Sequence, residues 1–198
     1  MDSFETLLQK FDATLLRHNM AAYENLLPPL SDQEIDKGLK EIGIDDENVK
    51  ALFQWKSGME NNRLCQMMDY GGLLSFDSIK YQISVNKYYD PRLVPLISDN
   101  GEEMLLFNTN PGPHYGKLYL FSVPQLYIDY PVSIYDSLPA MLETTIELYD
   151  TGAFKYDRAE NWLDINFDEY YLITKKHNKD CVFWTEHDEV IWKDWYQI

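Results

Sequence analysis

Near the end of the chain His177, Cys181 and His187 stand in an H-x3-C-x5-H pattern, and imidazole with thiolate is a ligand set that zinc accepts. A closed zinc site needs a fourth ligand, and none follows at regular spacing, so the pattern reads as surface histidines around a buried cysteine. A cysteine nucleophile needs an imidazole to hold its thiolate. Neither Cys65 nor Cys181 lies in a sequence that signals such a pair. The chain has no Walker-type phosphate loop, no G-x-G-x-x-G and no G-x-S-x-G, and Gly71-Gly72 is a lone pair that reads as a turn. No catalytic, cofactor-binding or metal-ligating residue is assigned.

Carboxylates are so plentiful, 33 in all, that pairs for acid–base work can be drawn anywhere. Asp45-Asp46-Glu47 reads first as a helix N-terminus, where negative charge complements the helix dipole, and Glu186, Asp188 and Glu189 as a solvated turn. The positions that combine charge with an aromatic, as interface anchors do, are Asp99, Glu102 and Glu103 around one turn and Tyr127 and Asp129 after a strand. These five are the candidate partner-binding residues. Two buried acids with perturbed pKa values in one cleft would instead mark a hydrolase.

The elements that must carry these residues follow from the apolar spacing. Phe4, Leu7, Leu8, Phe11 and Leu15 give a first helix one apolar face. After Leu-Leu-Pro-Pro-Leu (26–30), Ser31 and Glu34 form a capping box ahead of Ile35, Leu39 and Ile42. A third helix is expected from Asp45, with Ile44 and Val49 as a hydrophobic staple and Gly58 as a left-handed cap. Residues 76–89 are ambiguous. Ile79, Tyr81, Ile83 and Val85 alternate as in a strand, yet Phe76, Ile79 and Ile83 fit a helical face. From Leu93 strands take over: Val94–Ser98 and Glu103–Asn108 flank Asp99-Asn-Gly101, a hairpin-type turn. Asn110-Pro-Gly-Pro113 makes a second turn before Lys117–Val123, and 126–135 adds a further strand. Ser137 then caps a helix that Gly152 ends, and the Tyr- and Trp-rich tail is expected to add strands at Tyr170–Thr174 and Cys181–Trp184. The class is α+β: N-terminal helices, a mostly antiparallel mixed sheet and a following helix packed on it.

At the scale of the chain, 198 residues suffice to bury about 70% of the unfolded surface, and one domain over 1–198 is expected. Seventeen basic against 33 acidic residues give a net charge of −16. That balance excludes the dense basic surface a nucleic-acid binder needs and is repelled by an acidic membrane, but it attracts a basic protein. The aromatic content is high, with 15 Tyr and 5 Trp, and such half-polar rings suit interfaces as well as cores. Two cysteines without a CxxC pair suit a reducing compartment. The N-terminus has no basic region followed by an apolar run, and no apolar stretch approaches the ~20 residues that span a bilayer. The expected location is the cytoplasm.

Four stretches carry a resemblance to a known family. They are L-V-P-L-I-S-D-N-G-E-E-M-L-L-F-N-T-N-P-G-P-H-Y-G-K-L-Y-L-F (93–121), S-L-P-A-M-L-E-T-T-I-E-L-Y-D-T-G-A-F (137–154), L-P-P-L-S-D-Q-E-I (27–35) and A-L-F-Q-W-K-S-G (51–58). In order and spacing they resemble the SUKH superfamily, which takes in fungal cell-wall-assembly regulators and many bacterial immunity proteins. The likeness covers roughly 26–155, leaving 156–198 as a C-terminal elaboration. The chain departs from the family's usual Trp at Leu93, Asp at Asn108 and Asn at Ser57. The resemblance implies a helix over 76–89, which we adopt over the alternation. It also implies a non-enzymatic binding fold without cofactors, whose bacterial members bind and neutralise a cognate toxin domain, often a nuclease. The basic partner expected from the charge would then be a toxin domain. The alternative within the family is a regulatory protein–protein interaction module of the fungal type. Oligomeric state is left open.

Overall fold

Ser3, Ser31, Ser75 and Ser137 each precede apolar residues at helical spacing, and each side chain accepts the backbone N–H three residues on. That bond satisfies a donor that the first turn of a helix otherwise leaves orphaned. The structure, a computed structural model, describes residues 2–18, 20–59, 67–99, 103–122, 131–160, 162–181 and 183–184. The N-terminal third is helical: α1 (Phe4–Arg17), the single turn α2 (Ala21–Glu24), α3 (Asp32–Ile42) and α4 (Glu47–Trp55). The capping box on α3 is present as expected, and Gly43 closes that helix in the left-handed conformation.

The third helix differs in detail from the sequence expectation. Asp46 rather than Asp45 caps α4, accepting from the amides of Asn48 and Val49. The chain leaves α4 through extended Lys56, so Gly58 is not its cap. Gly58 has φ of +115° beyond the helix, where its backbone lies against that of Leu74 and Ser75.

After β1 (Gly72–Leu73) comes α5 (Phe76–Val85), the helix that the resemblance implied. Phe76 and Ile79 are buried, whereas Tyr81 and Val85, half of the apparent alternation, are exposed. A strand would have had to bury all of them on one face. Gly38 of α3 admits this helix: a Cβ there would stand 2.5 Å from the Phe76 ring, which stacks on Phe53 of α4 at 4.0 Å.

The strands β2 (Leu93–Ser98), β3 (Glu103–Asn108), β4 (Leu118–Ser122) and β5 (Val132–Tyr135) join β1 in a five-stranded sheet of order β1-β2-β3-β4-β5. Every described pair in it is antiparallel, with an irregularity at Pro95/Ile97 in β2. The apolar run of β3 reflects two buried faces. Leu105 and Phe107 enter the main core, while Met104 and Leu106 join Leu93 and Phe121 in a smaller cluster.

Helix α6 (Leu138–Thr151) follows with Ser137 and Gly152 at its ends, as expected. Its buried face, with Met141, Leu142, Leu148 and Tyr149, belongs to one continuous core shared with α1, α4 and the sheet. A second, two-stranded sheet pairs β6 (Phe154–Asp157) antiparallel with β7 (Trp162–Ile165). The tail overturns two expected strands. Tyr170–Thr174 lies inside α7 (Phe167–His177), and Phe183 and Trp184 are helical. The reason is local. Asn166 caps α7, Asp168 and Glu169 sit in its first turn, and Lys175, Lys176 and His177 in its last, which matches both ends of the helix dipole. Tyr170, Tyr171, Ile173 and Thr174 are then buried at helical spacing, so aromatic content, a signal shared with strands, misled.

Candidate partner-binding surface

Asp99 follows β2 and Glu103 begins β3, and their carboxylates brace the sheet. Asp99 Oδ1 accepts from the Glu103 amide at 2.8 Å and so closes the turn. Glu103 Oε1 accepts from Ser122 Oγ on β4 at 3.1 Å. Both residues are half-buried. Of the other expected contact residues, Glu102, Tyr127 and Asp129 lie outside the described residues, as do Glu186, Asp188 and Glu189.

The Asp45-Asp46-Glu47 cluster has a different character. Asp46 is committed to capping α4, whereas Asp45 and Glu47 are exposed. With Asp36, Lys40 and Lys50 they rim a shallow cleft of about 460 Å³ between α3 and α4. Lys50 donates to Asp36 at 2.7 Å. Tyr115, from the turn between β3 and β4, donates its hydroxyl to the Asp45 carbonyl at 2.7 Å and stays 39% exposed. The fold thus places an aromatic ring beside exposed carboxylates, though at Tyr115 rather than at a position singled out by sequence.

The histidine and cysteine of the metal-like pattern go separate ways. His177 Nε2 lies 2.6 Å from Glu147 Oε2, with Glu143 at 3.7 Å from Nδ1. Cys181 is buried and donates its Sγ–H to Asp136 Oδ1 at 3.4 Å. Burial, with the Asp136 carboxylate adding to it, pushes that thiol well above the ordinary range, which opposes thiolate chemistry. Asp136 also pairs with the nearly buried Lys117 at 2.8 Å. Cys65 and His187 lie outside the described residues. Among the described residues, no group of three His, Cys, Asp or Glu side chains is placed to hold a metal ion.

One acid escaped the sequence reading. Asp69, between Met68 and Tyr70, accepts at Oδ2 from Tyr135 at 2.9 Å and from Tyr170 at 2.5 Å. Although the residue as a whole is half-buried, Oδ1 is shut from solvent and has no hydrogen-bond partner among the described residues. Burial raises the Asp69 carboxyl to about 6, against the opposing pull of the two tyrosine hydroxyls and the nearby amides of Asp69 and Tyr70. Tyr149 packs close by, donating to the Met67 carbonyl at 3.0 Å. The carboxyl therefore meets phenols rather than the second acid a hydrolytic pair requires. The signal in sequence was a lone Asp within the apolar run Met67-Met-Asp-Tyr70.

No protein-family model matches this chain, and comparison with curated proteins finds no match. Among the described residues, no helix is long and apolar enough to cross a membrane.

Proposed function

We propose that this chain is a non-enzymatic immunity-type protein of the SUKH kind, which binds a basic toxin domain in the cytoplasm and blocks it. The observation that carries the reading is the net charge of −16. Seventeen bases cannot neutralise 33 acids, however the ion pairs are arranged, so a large negative field reaches solvent and draws cationic partners. A nuclease toxin fits this best, because its cleft is built to hold phosphates and accepts a carboxylate-rich surface in their place. Two further features support the reading: the order of helices and strands that the family resemblance implies, and the Tyr115 hydroxyl bonded to the carbonyl of Asp45, which with Glu47 lines the neighbouring cleft.

The test is to mix the purified chain with basic toxin domains, beginning with any encoded beside it, and to follow both binding and toxin activity. The expected result is equimolar loss of one toxin's activity, with an association rate that falls steeply between low and physiological salt. Failure to bind or inhibit any basic toxin domain, the neighbouring gene's product included, would sink the proposal.

A further inference from the structure

The β6–β7 ribbon has one face in the core and one in water. Phe154 and Leu163 are buried, while Lys155, Asp157, Trp162 and Asp164 occupy the outward positions and are exposed. Trp162, 59% exposed, stands opposite Asp157 across the ribbon, and Lys155 opposite Asp164. Tryptophan has the largest apolar body of any side chain, and left in water it contributes little to the fold. It is also the type most enriched among residues that anchor interfaces.

The charges around the indole favour one kind of occupant. Trp162 borders an open groove of about 770 Å³ whose charged walls are Lys155, Asp157, Arg158, Glu160 and Asp164. Arg158 already has a partner, and Lys155 lies near a helix end that tolerates its charge. Arg158 donates to Glu24 at 2.7 Å. The Lys155 stem lies 4.0 Å from where a Cβ on Gly152 would stand, at the C-terminal end of α6, where the helix dipole favours a cation. Among the described residues, Glu160 and Asp164 take part in no ion pair. An apolar partner would strip water from these carboxylates with nothing in return. A second copy meeting this face symmetrically would bring Asp157, Glu160 and Asp164 of both copies into one interface, an excess of like charge that Lys155 of each does not offset.

We infer that the outer face of the β6–β7 ribbon is a docking site for a cationic segment of a protein partner. An Arg or Lys side chain of that segment lies over the Trp162 indole, where the ring's negative face attracts it, and its neighbours meet Asp164 and Glu160. The inference rests on the reading that the chain binds a basic protein, and it adds the place of contact.

The test uses the intact chain and a peptide of alternating arginine and glycine, with the same peptide carrying neutral citrulline for arginine as control. The five tryptophans give separate indole N–H signals in NMR, and Trp162→Phe identifies the one of interest. The expected result is a saturable shift of that signal with the arginine peptide and none with the control. Trp162→Ala should weaken binding roughly tenfold, and Asp164→Asn by about threefold. Melting temperature should stay put, as for other surface substitutions. Binding that leaves the Trp162 signal still and survives Trp162→Ala overturns the site but keeps the basic-partner reading. No binding of the arginine peptide overturns the site, while the basic-partner reading is decided by the toxin-domain test above. Self-association that Trp162→Ala abolishes assigns the face to a second copy and also overturns the inference.

Discussion

The most informative single residue is Asp69, because its carboxyl is held at about 6 by burial and its immediate partners are the hydroxyls of Tyr135 and Tyr170. An acid whose folded pKa lies above its unfolded value binds more protons when folded. Its effect on stability therefore worsens as pH rises from about 4 to about 6 and stays constant above that. A rise of roughly two units corresponds to about 3 kcal/mol of destabilisation at neutral pH relative to the protonated form. Asp69→Asn keeps an acceptor for both tyrosines and cannot ionise. The variant should match the parent near pH 4 and exceed it by up to about 3 kcal/mol at pH 7 in denaturant unfolding. A difference between the two proteins that does not change with pH would show that Asp69 ionises over the same pH range folded and unfolded, so that burial does not raise it. Tracking the difference is essential, since the chain's overall acidity pushes the parent in the same direction.

At the scale of elements, what the sequence disclosed depended on how local the determinants were. The serine caps of α1, α3, α5 and α6 each need only the following turn, and the pairing of β2 with β3 is signalled by turn residues between two apolar runs, so most of these could be read directly. Helix α5 could not be separated from a strand by pattern, because Ile83 serves both periods. Helix α7 has local end signals, but its buried aromatics read equally well as a strand, and tertiary bonds then fix it in place. Asn178, fully buried at its end, accepts from the Asp136 amide at 3.0 Å and donates to Thr144 Oγ1 at 3.1 Å and the Thr174 carbonyl at 2.8 Å. One side chain thus clamps α7 to α6 and to the end of β5. Trp184 adds a bond from Nε1 to the Ile134 carbonyl at 2.7 Å, and Asp69 joins β5 to α7 through Tyr135 and Tyr170. Apart from the Thr174 carbonyl, four residues back, none of these partners is near in sequence. Asn178→Ala leaves the Asp136 amide N–H without its acceptor and removes the donor to Thr144 Oγ1, while the Thr174 carbonyl keeps the backbone N–H of residue 178, so it should cost about 1–3 kcal/mol in urea unfolding. A cost under about 0.5 kcal/mol would mean the clamp is dispensable. The Trp162 face was legible in principle. Phe154-Lys-Tyr-Asp157 and Trp162-Leu-Asp-Ile165 both alternate, and the second puts its tryptophan on the same side as Asp164, the wet side of the ribbon.

For the whole molecule, the net charge of −16 acts on folding and on binding with opposite signs of salt dependence. Within the folded chain the excess carboxylates repel one another, and unfolding spreads them apart, so the charge works against the compact state. The ion pairs that oppose this are mostly exposed, as with Lys10–Asp2, Arg17–Asp150 and Arg92–Asp90, and pairs of that kind contribute little each. Raising sodium chloride from about 10 to about 150 mM shortens the screening length from roughly 30 Å to 8 Å. That change reduces the many long-range repulsions more than the few short attractions. The free protein should therefore gain roughly 1 kcal/mol, seen as a melting temperature about 2–4 °C higher in scanning calorimetry. Chloride is the salt to use, because sulfate stabilises proteins by exclusion from their surface whatever their charge. Over the same range, association with a basic partner should slow, because screening removes the field that steers it. A melting temperature that fell with added chloride would mean that the ion pairs outweigh the repulsion, and that the surplus charge is spread too thinly to steer anything. A rise in stability together with a fall in association rate is the pairing expected of a surface kept acidic for a partner, at some expense to the free fold.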